Sequence, residues 1–163
     1  MEIANLYYTM LDMSDHSGIE TILADSLLTK ETESGYEQTF SLKEYIDWLE
    51  WDSVFDPTYE ILELEQKDEI VLAKISKIDK RIMFLHGEPI VSNQILRFNN
   101  DQITSVETTK YVAFNDSTFV KNRDELVGCV NENHPELNGF LHDQTKPGGV
   151  KYLKAIELYK NTK

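Results

Sequence analysis

Cysteine is almost missing from this sequence: one in 163 residues, Cys129. A single thiol excludes an intramolecular disulfide and any zinc site built from several cysteines. Basic residues are also scarce, with 16 Lys and Arg against 29 Asp and Glu and a formal net charge of -13. Nucleic acids and anionic lipid surfaces are bound by clustered cations, so neither partner is expected, and the charge favours solubility instead. No apolar run approaches the roughly 20 residues of a membrane span. Met1-Glu2-Ile3-Ala4-Asn5 does not have the basic-then-apolar order of a secretory leader, so the expected compartment is the cytoplasm. The patterns GxxxxGK[ST], GxGxxG after a strand and GxSxG are absent too, which leaves nucleotide and serine-hydrolase chemistry without support. There is no internal repeat and no low-complexity segment.

What is present is enough for one ordinary domain with a self-sufficient core: 40% apolar and 28% charged residues. Ile3, Leu6, Tyr7, Met10 and Leu11 follow the spacing of one helix face. The polar run Met13-Ser14-Asp15-His16-Ser17-Gly18 interrupts it, and the pattern begins again at Ile19, Ile22, Leu23 and Leu27. Asp15 or Ser17 can cap this second helix, and Ser17-x-x-Glu20 fits a capping box. The interruption therefore reads as a corner between two helices. His16 beside Asp12, Asp15 and Glu20 invites a metal reading, but the corner already accounts for these residues. His86, His134 and His142 match no zinc spacing, so no metal and no cofactor is expected.

Residues 28–39 read as a short strand and a turn at Gly35, and Ser41 caps a third helix through Leu42, Tyr45, Ile46 and Leu49 that ends before Asp56-Pro57. Trp48, Trp51 and Phe55 are either core or a stacking platform for a ligand, with core the preferred reading. "TYEILELEQKDEIVLAKISKI" predicts two strands, and "RIMFLHGEPIVSNQILRFNNDQITSVETTKYV" predicts three more, with turns near Gly87-Glu88-Pro89 and at Asn99-Asn100-Asp101. Short connections imply an antiparallel meander, and helices followed by strands imply an α+β fold. Asp116 or Ser117 opens a helix through Val120, Leu126 and Val130. Pro147-Gly148-Gly149 precedes a last helix through Tyr152, Leu153, Ile156 and Tyr159. Within Leu126-Val127-Gly128-Cys129-Val130 the thiol is expected to be buried and structural.

The helix, the polar corner ending in Gly18-Ile19, the helix into Ala24-Asp25 and the following strand meander together resemble the nuclear transport factor 2-like superfamily. "LDMSDHSGIETILADS" is similar to the opening segment of ketosteroid isomerases, and "QILRFNND" resembles a late strand of theirs. The likeness covers residues 3–112 and implies a cone-shaped, curved antiparallel sheet with the N-terminal helices on its concave face. Residues 113–163 exceed the compact pattern and are expected to form a helical extension packed on the same domain, closing the mouth of the cone or extending a dimer interface. The resemblance further implies a pocket for a small apolar or polycyclic molecule, a homodimer formed through the open sheet face, and catalytic positions at Tyr7, Glu31 and Gln94. Carried over, Tyr7 and the Gln94 amide stabilise an oxyanion while Glu31 acts as general base, with Glu33 taking its place if the register slips by two. Thr32 stands where the isomerases place a proline after the base.

Alternation puts Gln94, Leu96 and Phe98 on one strand face. Read without the resemblance, Tyr7 is a core residue of a helix face and Glu31 a solvated carboxylate, and the residues alone favour that reading. The expected function is small-molecule binding in the cone, with cofactor-independent isomerase or cyclase chemistry of the SnoaL or ketosteroid isomerase kind as its catalytic form. The competing function is a non-catalytic dimeric interaction module, and fold alone does not choose between them.

Overall fold

The structure, a computed structural model, describes residues 1–162. The chain begins with α1 (Glu2–Met13), which stops where Ser14 adopts the left-handed conformation at φ 54°. Asp15 then caps α2 (His16–Ile22) by accepting the Gly18 N–H at 3.0 Å. A Cβ on Gly18 would lie 2.5 Å from that carboxylate, so a side chain there would push the capping Asp15 aside. Of the two cap candidates it is Asp15 that is used. The second helix is shorter than its apolar spacing suggests, because Leu23 opens strand β1 (Leu23–Glu31). The four-residue step from Leu23 to Leu27 suits a strand face as well as a helix face, and both side chains are buried.

Strand β1 turns through Gly35, at φ 72°, into β2 (Tyr36–Ser41). Ser41 caps α3 (Leu42–Ser53) in a full capping box: its hydroxyl accepts the Glu44 N–H at 3.1 Å, and the Glu44 carboxylate accepts the Ser41 N–H at 3.0 Å. Then follow β3 (Thr58–Lys67), β4 (Ile70–Ile78), α4 (Lys80–Leu85), β5 (Ile90–Asn99) and β6 (Gln102–Ala113). The segment "RIMFLH", expected as a strand, is helical instead. Asp79 caps it by accepting the Ile82 N–H at 2.6 Å, and Ile82 and Leu85 bury one short face.

The six strands form one open, curved sheet in the order β2-β1-β6-β5-β4-β3. Neighbours run antiparallel except β1 and β6, which are parallel. Helices α1 and α3 lie against the sheet and enclose a core that includes Ala4, Ile19, Leu27, Leu49, Val71 and Leu96.

Helices α5 (Asp116–Asn133) and α6 (Lys146–Asn161), joined through two short 3-10 turns, build a second core. Trp51 of α3, Phe55 in the turn that follows it and Leu85 of α4 enter it from the cone side and meet Leu126, Val130, Phe140 and Tyr152. Phe55 sits edge-on to Tyr152 with ring centroids 5.5 Å apart, so these aromatics serve as core. Cys129 departs from expectation. It is only half-buried, because the helical period carries Leu126 and Val130 inward and leaves Cys129 beside the exposed turn. Among the described residues no helix is long and apolar enough to cross a membrane.

Two glycines give opposite outcomes on substitution. At Gly148, near the start of α6, a Cβ would fall 1.9 Å from the Asp143 carbonyl oxygen, a backbone atom that cannot step aside. Gly148→Ala is expected to lower the unfolding free energy by about 1–3 kcal/mol or more. Gly128→Ala, in the open on α5, is expected to raise it by up to about 1 kcal/mol. Urea denaturation of the two variants checks both signs.

Candidate functional site

Register decides which side chains face inward. On β1, Leu27, Thr29 and Glu31 share one face, and they pair across to Phe40, Gln38 and Tyr36 on β2. The same face continues through Val106 and Thr108 on β6, Ser92 and Gln94 on β5, and Ile75 and Lys77 on β4. From the helices, Tyr7, Tyr8 and Leu11 of α1 and Tyr45 and Trp48 of α3 close over this surface. All of these except Leu27, which packs in the core, line a cavity of about 540 Å3.

All three residues singled out from the sequence, Tyr7, Glu31 and Gln94, belong to its wall. They do not hydrogen-bond one another. The Tyr7 and Tyr45 hydroxyls lie 2.5 Å apart and either can be the donor. The Tyr8 hydroxyl donates to Gln94 Oε1 at 2.5 Å, while Gln94 Nε2 donates to Ser92 Oγ at 3.2 Å. Glu31, half-buried, accepts from the Tyr111 hydroxyl at 2.5 Å and from Ser34 Oγ at 3.2 Å. Glu33, the alternative base, is exposed and accepts the Tyr111 backbone N–H at 2.8 Å.

Burial sets the protonation of the hydroxyls. Tyr7 is pushed up to about 12, chiefly by desolvation; the hydrogen bond from Tyr45 opposes the shift and the negative charge of Asp52 adds to it. Burial also holds Tyr8 and Tyr45 well above the usual tyrosine range. Tyr111 is raised by burial, then by its bond to the Glu31 carboxylate and by that carboxylate's charge. At neutral pH these groups keep their protons, so the cavity presents neutral O–H donors beside a carboxylate.

A second polar cluster borders the cavity near α4. Lys77 Nζ lies 2.5 Å from Asp52 Oδ1 and 3.9 Å from Asp79 Oδ2, and it sits over the Tyr59 ring at 4.9 Å. The Tyr59 hydroxyl donates to the other Asp52 oxygen at 2.8 Å. Arg81 and Gln144 complete this end of the wall. Sequence reasoning missed Tyr8, Tyr45, Tyr111, Lys77 and Arg81. Tyr45 was recognised as apolar periodicity on α3 but not as a hydroxyl donor. Among the described residues no group of three or more His, Cys, Asp or Glu is placed to hold a metal ion.

The raised Tyr7 pKa makes an alkaline-stability prediction. A proton held more tightly in the folded chain stabilises it fully below the unfolded value of 10.0, and that contribution is lost as pH rises toward about 12. Tyr7 alone should therefore lower the unfolding free energy by about 1.4 kcal/mol per pH unit across that window, roughly 3 kcal/mol in all. Urea denaturation from about pH 9 upward should give a falling limb that Tyr7→Phe makes shallower. Equal slopes in the two proteins would refute the assignment.

No protein-family profile and no curated protein sequence matches this chain. Solved structures match its fold. A candidate ketosteroid isomerase from Kribbella flavida aligns with TM-score 0.58 and 11% identity over 71% of this chain and 78% of its own. A candidate polyketide cyclase from Streptomyces antibioticus aligns at 0.56 and 10% identity over 76% and 96%. A protein with a ketosteroid isomerase-like fold from Catenulispora acidiphila, solved in complex with trimethylamine, aligns at 0.55 and 12% identity over 74% and 91%. With the α-helical corner, the six-stranded curved sheet and the cavity between sheet and helices, these likenesses establish the architecture: the chain has the nuclear transport factor 2-like fold, the one shared by ketosteroid isomerase-like and polyketide cyclase-like proteins.

Proposed function

We propose that this protein binds a small, largely apolar molecule in the cone and performs cofactor-independent acid–base chemistry on it. The observation that carries the reading is the cavity itself. Its volume of about 540 Å3 falls in the range of small-molecule sites, and it joins an apolar wall of Leu11, Phe40, Ile75 and Val106 to a few fixed polar groups. In the reaction this arrangement suits, Glu31 takes a proton from a carbon next to a carbonyl. The C–H electron pair becomes a C=C bond and the carbonyl oxygen gains negative charge. Tyr7 donates to that oxygen while Tyr45 donates to Tyr7, and the proton returns from Glu31 to another carbon. Gln94 takes a supporting role, since its carbonyl oxygen fixes Tyr8 and one N–H remains beyond its bond to Ser92.

A β,γ-unsaturated polycyclic ketone tests this, because its conjugated product absorbs in the near ultraviolet. Glu31→Gln is expected to lower kcat by about 10²–10⁴-fold with little change in binding. Tyr7→Phe should lower it by about 10²–10³-fold and, by leaving the Tyr45 hydroxyl unpaired, also cost about 1–3 kcal/mol of stability. Binding without turnover in the unmodified protein would refute the catalytic reading and leave a ligand-binding protein. No binding would refute both.

The second reading, a dimeric module, has its own observation. On the sheet face opposite the cavity, Leu72 and Ile95 are paired neighbours and both are only half-exposed, beside the Arg97–Glu107 ion pair at 2.7 Å. The homodimer belongs to both readings. Light scattering should give twice the 18.9 kDa chain mass, and Leu72→Lys with Ile95→Lys should return it to one. A monomeric unmodified protein would sink the dimer.

A further inference from the structure

We infer that the molecule bound in the cone carries a carboxylate and that the Arg81 guanidinium receives it. The inference rests on the reading that the cavity holds a small molecule, and it names the chemical class of that molecule.

Arg81 is the one group in the polar cluster beside α4 whose charge is unspent. Lys77 is paired to Asp52 at 2.5 Å and faces Asp79 at 3.9 Å. Asp52 also accepts from Tyr59, and Asp79 caps α4. Among the described residues no carboxylate lies within 4.0 Å of the Arg81 nitrogens. Asp79 and Arg81 act on each other only at longer range. The neighbours of the guanidinium are neutral: it lies over the rings of Trp51 at 5.3 Å and Phe55 at 5.8 Å, with the Tyr152 hydroxyl near its charge. Its Nε is buried with no hydrogen-bond acceptor.

A guanidinium stays charged at any physiological pH. A charge removed from water without a partner is costly, so such groups are ordinarily paired. Here the unpaired fork stands in the wall of a cavity, held in orientation by two aromatic faces and a hydroxyl. Planar forks of this kind match a carboxylate with two parallel N–H···O bonds.

Selectivity follows from the surroundings. Asp52, Lys77, Asp79 and Arg81 balance in formal charge, so the site is no general sink for anions. Recognition depends on the directed donors of Arg81. Glu31 lies on β1, three strand spacings from β4 in the sheet order, roughly 14 Å along the sheet, and it disfavours a second acidic group on the ligand. The ligand that fits is a monoacid with an apolar body against Leu11, Phe40, Ile75 and Val106.

The test uses the full chain and a matched pair of probes, cholate as a polycyclic carboxylate and its uncharged methyl ester, with binding measured by calorimetry. The acid is expected to bind at least about tenfold tighter than the ester. Arg81→Gln should weaken the acid to the level of the ester and leave the ester unchanged, and Arg81→Lys, which keeps the charge without the fork, should fall between. Equal binding of acid and ester to the unmodified protein overturns the inference with no variant needed and leaves the cavity reading intact. Equal weakening of both probes by Arg81→Gln assigns Arg81 a structural role and also overturns it. Binding of neither probe counts against the cavity reading itself. Far-UV circular dichroism on each variant separates lost binding from lost folding.

Discussion

The arrangement of helix α3 on the sheet depends on one buried carboxylate. Asp52 has both oxygens engaged, one by Lys77 from β4 at 2.5 Å and the other by Tyr59 from β3 at 2.8 Å. Only 2% of the residue is exposed. Burying an ion pair costs desolvation, which geometry must offset, and removing one partner leaves a penalty of about 3–5 kcal/mol. The contact therefore specifies position more than it adds stability. It fixes the rotation of α3 about its axis, and that rotation sends Tyr45 and Trp48 into the cavity and Trp51 into the second core.

That placement makes the interior of the cone chemically uneven. On one side, tyrosine hydroxyls keep their protons because burial disfavours the phenolate, and the nearby Asp52 charge disfavours it further at Tyr7 and Tyr45. On another side, Glu31 remains half-open and is held by Tyr111. Neutral donors set beside a carboxylate are what proton transfer next to a carbonyl requires. The same carboxylate that positions α3 thus also helps keep those donors protonated.

Much of this was legible in the residues. The Ser41 and Asp15 caps announce two helix starts, and strict alternation carries Gln94 to the inner face beside Leu96, whereas the Ser17–Glu20 box the sequence offered is not formed. The failures have physical causes. The apolar run at Ile82–Leu85 has no period long enough to separate one helical turn and a half from a strand, so only the Asp79 cap marks α4. With α4 missed, Arg81 was missed as well. Tyr111 escaped because β5 and β6 change register between Val91 and Ser92 and again between Asn93 and Gln94, and a bulge breaks the period of two on which the facing argument relies. Cys129 was misjudged because an apolar run buries every residue of an inner strand but only one side of a helix.

The residues beyond the cone change how its site should be understood. Arg81 is oriented by Trp51, Phe55 and Tyr152, and all three belong to the core that α5 and α6 complete. Gln144, in the loop between those helices, reaches the cavity wall directly. Within the second core Tyr152 is wedged between Phe55 and Phe140, with ring centroids 5.5 and 4.9 Å away and both edges crossing steeply. Such packing tolerates little movement, so the position of the guanidinium is tied to the packing of residues distant in the chain. A chain that kept only the six strands and first helices would keep the tyrosine side of the cavity, with Trp51 and Phe55, and lose Tyr152 and Gln144 from its cationic end. The extension therefore contributes to the wall of the cavity, and the polar chemistry of that end belongs to this chain's own residues and not to the shared fold.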